Sequence, residues 1–196
     1  MKLEKSIKYG RAMNKARHLC LTGIGNPEPS YKGTRHNVGL TVLDLLIKQL
    51  VPRDQHVFRR EDKVHVLRTP TITFIRSDIG FMNLSGRSVV PMWQKLYTDH
   101  TDYAVIHDEL SLRTGALQLR QPQTSLRGHN GLRDISAHWR HQYYKLAIGI
   151  DRPESRDPQA VADYVLSKVP QRDATYIENT TTSKALELLQ RQFPYI

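Results

Sequence analysis

The chain has 196 residues, of which 39% are hydrophobic and 24% charged, and its formal net charge is +10. This length suits one domain with a sizeable core, and the composition excludes a disordered chain. No apolar run reaches the roughly 18 residues that a membrane span needs. The single cysteine, Cys20, excludes an internal disulfide framework and a thiolate metal cluster. The basic surplus favours a polyanionic partner, nucleic acid ahead of a membrane surface.

Residues 1–17 form a basic N-terminal extension that precedes the expected domain, residues 18–196. The extension carries six Lys and Arg residues against one acid, Glu4. Two interpretations stay open: a mitochondrial presequence, which predicts the mitochondrial matrix, or a disordered basic tail on a cytoplasmic protein.

Strands alternate with helices along the rest of the chain. Apolar and β-branched runs predict strands at 18–24, 64–68, 71–77, 103–110, 116–120 and 143–150. Helical spacing predicts helices at 38–50, 83–97 (disturbed by Pro91), from 128 onward, at 158–168 and at about 171–191. The predicted fold class is therefore α/β: a single-domain three-layer sandwich, with a mixed twisted sheet between helices on both faces.

Polar residues stand at several junctions between these elements. Strand ends of an open α/β sheet meet at one edge, where ligands usually bind, so these side chains are expected to converge. A histidine there is suited to act as a base near neutral pH, a carboxylate would orient it, and amides would hold water or an ester carbonyl. Each residue alone also fits a helix cap or a turn. The five are His36, Asp108, Asn26, Asn83 and Asn130.

Common catalytic motifs are missing from the sequence. No Gly-Lys-Ser/Thr of a P-loop and no Gly-x-Ser-x-Gly elbow occurs. Glu28 stands where a dinucleotide fingerprint needs its third glycine. His138 and His141 lie three apart without the rest of a zinc motif, so they indicate a solvated helix face.

Long ordered segments resemble bacterial-type peptidyl-tRNA hydrolases, in a fungal or organellar form. They are "LTGIGNPEPSYKGTRHNVGL", "FMNLSG", "VIHDELSLRTGALQLR", "SLRGHNGLRDI", "KLAIGIDRP" and "ADYVLSKV", and the resemblance runs from about residue 19 to about 190. It implies hydrolysis of the ester between a peptide and the terminal ribose of tRNA, which recycles tRNA from abortive translation. It also implies no metal, no cofactor and no membrane, with peptidyl-tRNA as the partner; we further expect a monomer.

The resemblance also implies roles for particular residues. The family's catalytic histidine falls on His36 and its supporting aspartate on Asp108. Its substrate-positioning asparagines fall on Asn26, Asn83 and Asn130. Its tRNA-contacting tyrosine falls on Tyr31, and the histidine before the third asparagine falls on His129.

The basic residues of the family's phosphate site match less well. Family members often carry basic residues at two alternate positions of the strand before "IGI", and these are Lys145 and Ala147 here. The other basic side falls near Arg120 or Arg127, so these two and Lys145 are expected to contact tRNA. Asp151 stands where family members commonly have a glycine, and the sequence does not explain an acidic residue at this position.

Two other functions remain as alternatives. A non-catalytic RNA-binding relative, like the splicing factors that share this fold, would have little reason to keep the five junction residues. An esterase for small acyl compounds is disfavoured by the basic surplus and the missing elbow.

Overall fold

The computed structural model describes residues 16–196, which fold around one seven-stranded sheet. Most of the basic extension, residues 1–15, lies outside the described residues. Arg17 is packed on the domain, because its Nη2 donates to Oδ2 of Asp102 at 2.6 Å. Within residues 16–196 no helix combines the length and the apolar character needed to cross a bilayer.

The strands follow the predicted positions closely. They are β1 (His18–Ile24), β2 (Arg59–Glu61), β3 (Val64–Arg68), β4 (Ile72–Ser77), β5 (Thr101–Glu109), β6 (Leu117–Arg120) and β7 (Tyr144–Gly149). Only β2 was not predicted, because its three residues, Arg-Arg-Glu, are charged and show no alternation of apolar and polar side chains.

The helices also match the predicted positions, with two differences. They are α1 (Val38–Leu50), α2 (Ser85–Leu96), α3 (Asn130–His138), α4 (Pro158–Leu166), α5 (Gln171–Tyr176) and α6 (Thr182–Gln192). The predicted helix at 171–191 is interrupted by a π-helical turn at Ile177–Thr181. Asn83 lies in a 3-10 turn, Met82–Leu84, directly before α2.

The sheet is mixed, with the strand order β2-β3-β4-β1-β5-β7-β6. The four central strands β4, β1, β5 and β7 are parallel, whereas β2, β3 and β6 pair antiparallel. The central strands are buried and mostly apolar on both faces, as expected for strands covered by helices on both sides. Their carboxyl ends lie at one edge, so segments after β1, β4 and β5 meet there.

Helices cover both faces of the sheet, which confirms the predicted three-layer α/β sandwich. One core packs α1 and α6 on the sheet through residues such as Leu43, Leu46 and Leu189. The other core packs α2 and α3 on the opposite face through Trp93 and Leu132. The apolar spacing of each helix therefore selects the face that is buried.

Candidate active site

His36 lies directly before α1, and its imidazole pairs with the end of β5. Nδ1 of His36 lies 2.9 Å from Oδ1 of Asp108. Gly39 makes this approach possible, because a Cβ there would lie 2.4 Å from the carbonyl oxygen of Ile106. A larger residue would push the start of α1, and His36 with it, away from β5.

Asp108 binds a second imidazole through the same oxygen. Nε2 of His129 also lies 2.9 Å from Oδ1. Nδ1 of His129 accepts a hydrogen bond from the backbone N–H of Leu132, so Nε2 must carry the proton that His129 donates to Asp108. An ionised carboxylate only accepts, so His36 likewise donates from Nδ1 and keeps the lone pair of Nε2.

The charges of this group shape its proton affinities. Burial opposes the charged imidazolium, but the nearby Asp108 carboxylate more than offsets this and raises the pKa of His36 above its ordinary value. Burial would raise the pKa of Asp108, yet the two histidines hold that pKa well below its usual range. Asp108 is therefore a carboxylate throughout the physiological range, and its charge favours the protonated form of the His36 imidazole.

Asn26 follows β1 and is held by three hydrogen bonds. Its Oδ1 accepts from the backbone N–H of Met82 at 2.8 Å, which leaves its Nδ2 as the free donor. The buried amide of Asn37 bonds both backbone groups of Asn26, accepting from N–H at 2.8 Å and donating to the carbonyl at 3.0 Å. Sequence reasoning missed Asn37, because an Asn before a helix is usually a cap.

One cavity of about 610 Å³ collects the five junction residues. Asn83 lies exposed on its wall. At the start of α3, Oδ1 of Asn130 accepts from Arg133 at 3.2 Å, so Nδ2 of Asn130 remains available. The cavity lining includes His36, Asp108, Asn26, Asn83, Asn130 and His129. The predicted convergence of these side chains is therefore what the structure shows.

Helix α4 forms an apolar wall of this cavity, which the sequence did not indicate. Val161, Val165 and Leu166 face the cavity, and Leu166 is 40% exposed. A wall of this kind suits the side chains of an acyl or peptidyl group. Its signal in the sequence was weak, because a short apolar helix is ordinarily part of the core.

Two of the expected tRNA contacts do not fit the structure. Arg120 is buried and pairs with Oε2 of Glu109 at 2.6 Å. Lys145 is fully buried, and its Nζ donates to the carbonyl of Pro122 at 2.6 Å. Neither cation is open to a phosphate in this arrangement, so the structure gives no support to their expected role as direct tRNA contacts. The cause is tertiary: Arg120 and Lys145 are paired in register on neighbouring strands, and Glu109 of β5 and the carbonyl of Pro122 hold their charged ends inside the protein.

Ala147 explains how Arg120 reaches its partner. It lies on β7, between His107 of β5 and Gln118 of β6. Ala147 lies on the same face of β7 as Lys145, and its small side chain takes up less room between Arg120 of β6 and Glu109 of β5 than a long basic side chain would. The departure at Ala147 is thus matched by a buried ion pair.

Arg127 and Tyr31 lie near the cavity in more open positions. Arg127 is exposed, lines the cavity and donates to Oγ of Ser111 at 3.1 Å. Tyr31 packs edge-on against the exposed ring of Phe81, with centroids 6.2 Å apart, outside the cavity lining. Of the three basic residues, Arg127 is the one that is exposed beside the cavity.

Asp151, which the sequence left unexplained, has a structural role. Its φ is +59°, a conformation that Asp tolerates better than most residues. Its Oδ2 accepts from both N–H and Oγ1 of Thr114 at 3.0 Å. The Asp151 carboxylate therefore joins the segment after β7 to the loop between β5 and β6.

The same group has the donors that a metal would use. One ligand atom each of His36, Asp108 and His129 lies within 4.8 Å of the others. The two imidazoles already satisfy the carboxylate oxygen at hydrogen-bond distance, so the group needs no ion to hold its geometry. The expected independence of metal stays a prediction, and a chelator tests it.

Fold and site together define a hydrolase class in which a carboxylate-oriented histidine faces an amide-lined cavity. The family model for peptidyl-tRNA hydrolase matches residues 20–193. The peptidyl-tRNA hydrolase of Saccharomyces cerevisiae is 48% identical over 156 residues, covering 76% of this chain and 82% of the relative. That of Bacillus subtilis is 33% identical over 162 residues, covering 82% and 84%.

A solved structure agrees. The peptidyl-tRNA hydrolase of Acinetobacter baumannii superposes with a TM-score of 0.74 at 28% identity, covering 90% of this chain and 91% of that one. The chain belongs to the peptidyl-tRNA hydrolase family, and it is an enzyme that hydrolyses the ester bond of peptidyl-tRNA.

Proposed function

We propose that His36 is the general base of this hydrolysis and that Asp108 orients it. The observation that carries the proposal is the 2.9 Å bond from Nδ1 of His36 to Asp108, at the wall of the cavity. This bond leaves the lone pair of Nε2 on the ring edge away from the carboxylate. Among the described residues, Nε2 has no hydrogen-bond partner, so it is available to a water molecule.

The reaction then proceeds in two proton transfers. Nε2 of His36 takes a proton from water as the water oxygen bonds to the ester carbonyl carbon. The tetrahedral intermediate collapses by breaking the bond between that carbon and the ribose oxygen. The His36 imidazolium, stabilised by Asp108, returns the proton to the leaving ribose hydroxyl. The products are a free peptide carboxylic acid and tRNA.

Two amides are suited to the charge that develops on the carbonyl oxygen. Asn26 and Asn130 have their side-chain oxygens occupied, by Met82 N–H and Arg133 respectively. Each therefore offers its Nδ2 as a donor into the cavity. Fixed donors in a shielded site stabilise an oxyanion more than mobile water does, because they need no reorganisation.

The acyl end and the tRNA end of the substrate fit different parts of the cavity and the surface beside it. Helix α4 offers an apolar wall for the acyl group. Arg127 is suited to a phosphate of the tRNA, and Tyr31 and Asn83 to its 3′-terminal nucleotide. The basic, nearly acid-free start of the chain supports a mitochondrial location.

Turnover of two esters of one acyl group tests the proposed recognition of the tRNA end, and the His36→Ala variant tests the proposed base. We expect the protein to hydrolyse N-acetylaminoacyl-tRNA much faster than the ethyl ester of the same acid. Comparable rates on both esters would indicate a general esterase, and binding of tRNA without turnover would indicate a non-catalytic RNA-binding protein.

A further inference from the structure

Helix α4 has few interactions of its own to hold it in place. None of its nine residues is fully buried; Val161, Val165 and Leu166 line the cavity, and of these Val165 also packs against the core. One internal anchor is the hydroxyl of Tyr164, which donates to the carbonyl of Ile150 at 2.6 Å. The position of this wall therefore depends on contacts at its ends.

Arg35, the residue before His36, supplies several of these contacts. Its guanidinium lies 4.3 Å from the ring centroid of Tyr164, within range of a cation–π interaction. Nη1 of Arg35 donates to the carbonyl of Lys168 at 2.9 Å and also to Oγ of Ser167. One side chain thus holds both the middle of α4 and the segment that ends it.

Backbone hydrogen bonds continue the same connection. The N–H of Arg35 donates to the carbonyl of Ser167 at 3.0 Å, and the N–H of Val169 donates to the carbonyl of Gly33 at 3.0 Å. Thr34 and Lys168 form an antiparallel bridge. The segment that carries His36 is therefore joined directly to the carboxyl end of the apolar wall.

We propose that Arg35 is a positioning residue that sets the acyl side of the cavity, and so the enzyme's preference for bulky acyl groups. By stacking on Tyr164 it fixes the distance between α4 and His36. A bulky acyl group contacts the α4 wall, whereas a small one makes little contact with it. This inference rests on the proposed placement of the acyl group along α4.

Two esters carried by the same tRNA separate this role from an RNA contact. N-acetylphenylalanyl and N-acetylglycyl esters differ only in acyl bulk, so any effect on RNA binding cancels in the ratio of their kcat/KM values. Arg35→Gln should lower this ratio, bulky over small, by about three- to tenfold, the usual range for one partly exposed stacking contact. Arg35→Lys should lower it as well, because an ammonium cannot reproduce the planar stack.

A second variant tests the contact from the other side. Tyr164→Leu should lower the ratio in the same direction, and the double variant should lose less than the sum of the two single variants, since both remove the same stacking contact. Arg172→Gln, an equal loss of charge at an exposed position of α5, is the matched control and should leave the ratio unchanged.

Equal losses on both esters, or no loss on either, would overturn the inference, and so would full additivity of the two variants. These results are distinct from a failure of the proposed mechanism. In that case His36→Ala would retain turnover whatever the Arg35 variants do. A melting curve for each variant excludes loss of folding as the cause.

Discussion

His36 and Asp108 are 72 residues apart in the chain and are joined by one hydrogen bond of 2.9 Å. The carboxylate lies at the end of a buried strand and the imidazole at the edge of a cavity. Burial prevents water from competing for this hydrogen bond, and the bond keeps the imidazole in one tautomer. The first two predictions follow from this pair.

Removing the imidazole should abolish most of the rate. We expect His36→Ala to lower kcat by about two to four powers of ten, the usual worth of a positioned acid–base group. Binding of peptidyl-tRNA should survive, because the tRNA contacts lie in other residues. Single-turnover hydrolysis and filter binding measure the two effects. His100→Ala, directly before the opposite end of β5, is the control and should keep its rate. A chelator should leave the rates of the unmodified enzyme and of this control unchanged.

The pH dependence of kcat/KM should show that His36 is paired with Asp108. Since Asp108 raises the pKa of His36, kcat/KM should rise with pH to a midpoint above the ordinary value of 6.5. In Asp108→Asn only burial remains, and burial lowers the pKa, so the midpoint should move below 6.5 while the rate falls. A midpoint that does not move between the two proteins would show that Asp108 does not set the proton affinity of the base.

The salt dependence of tRNA binding should distinguish exposed from buried cations. Arg127→Gln should weaken binding and reduce the logarithmic salt slope by about 0.7 to 0.9, as expected for one lost phosphate contact. Arg120→Gln should leave the slope unchanged but lower stability by about 3 to 5 kcal/mol, because it leaves Glu109 buried without its partner. The reverse pattern would mean that Arg120 becomes exposed when tRNA binds.

Lys145 should affect stability in a particular pH range. Burial, together with the nearby Arg120, lowers the pKa of Lys145 to about 8. Between about 8 and the ordinary 10.5, the unfolded chain binds a proton that the folded protein does not, so this residue makes the free energy of unfolding rise with pH. Lys145→Met should remove that rise. Urea unfolding at pH 8 and pH 10 measures it, and an unchanged slope would contradict the pKa assignment.

The basic extension should be separable from catalysis. Deleting residues 1–15 should leave turnover of peptidyl-tRNA largely intact. Deleting Arg17 too should lower the melting temperature, since Arg17 pairs with Asp102 and lies 5.9 Å from the ring of Tyr195. A large loss of turnover from the shorter deletion would disprove the separation.

Residues 1–17 fused to a fluorescent protein should direct it to mitochondria in yeast cells.

The sequence by itself determined the alternation of strands and helices and the family. Apolar spacing located α1 and the central strands, because burial on a sheet leaves a periodic pattern that local sequence retains. The junction residues His36, Asp108 and the three asparagines could also be found as a group, since the strand ends of an open α/β sheet meet at one edge, although each residue alone also fits a cap or a turn. Long ordered motifs then specified the activity.

Only the tertiary structure decided which polar groups meet and which charges are buried. It buried Arg120 and Lys145, and it paired Asn37 with the backbone of Asn26. It also made α4 a wall of the cavity and placed the guanidinium of Arg35 against the ring of Tyr164 on that helix. These outcomes depend on contacts between residues far apart in the chain, whose distances and desolvation costs leave no periodic pattern in the sequence.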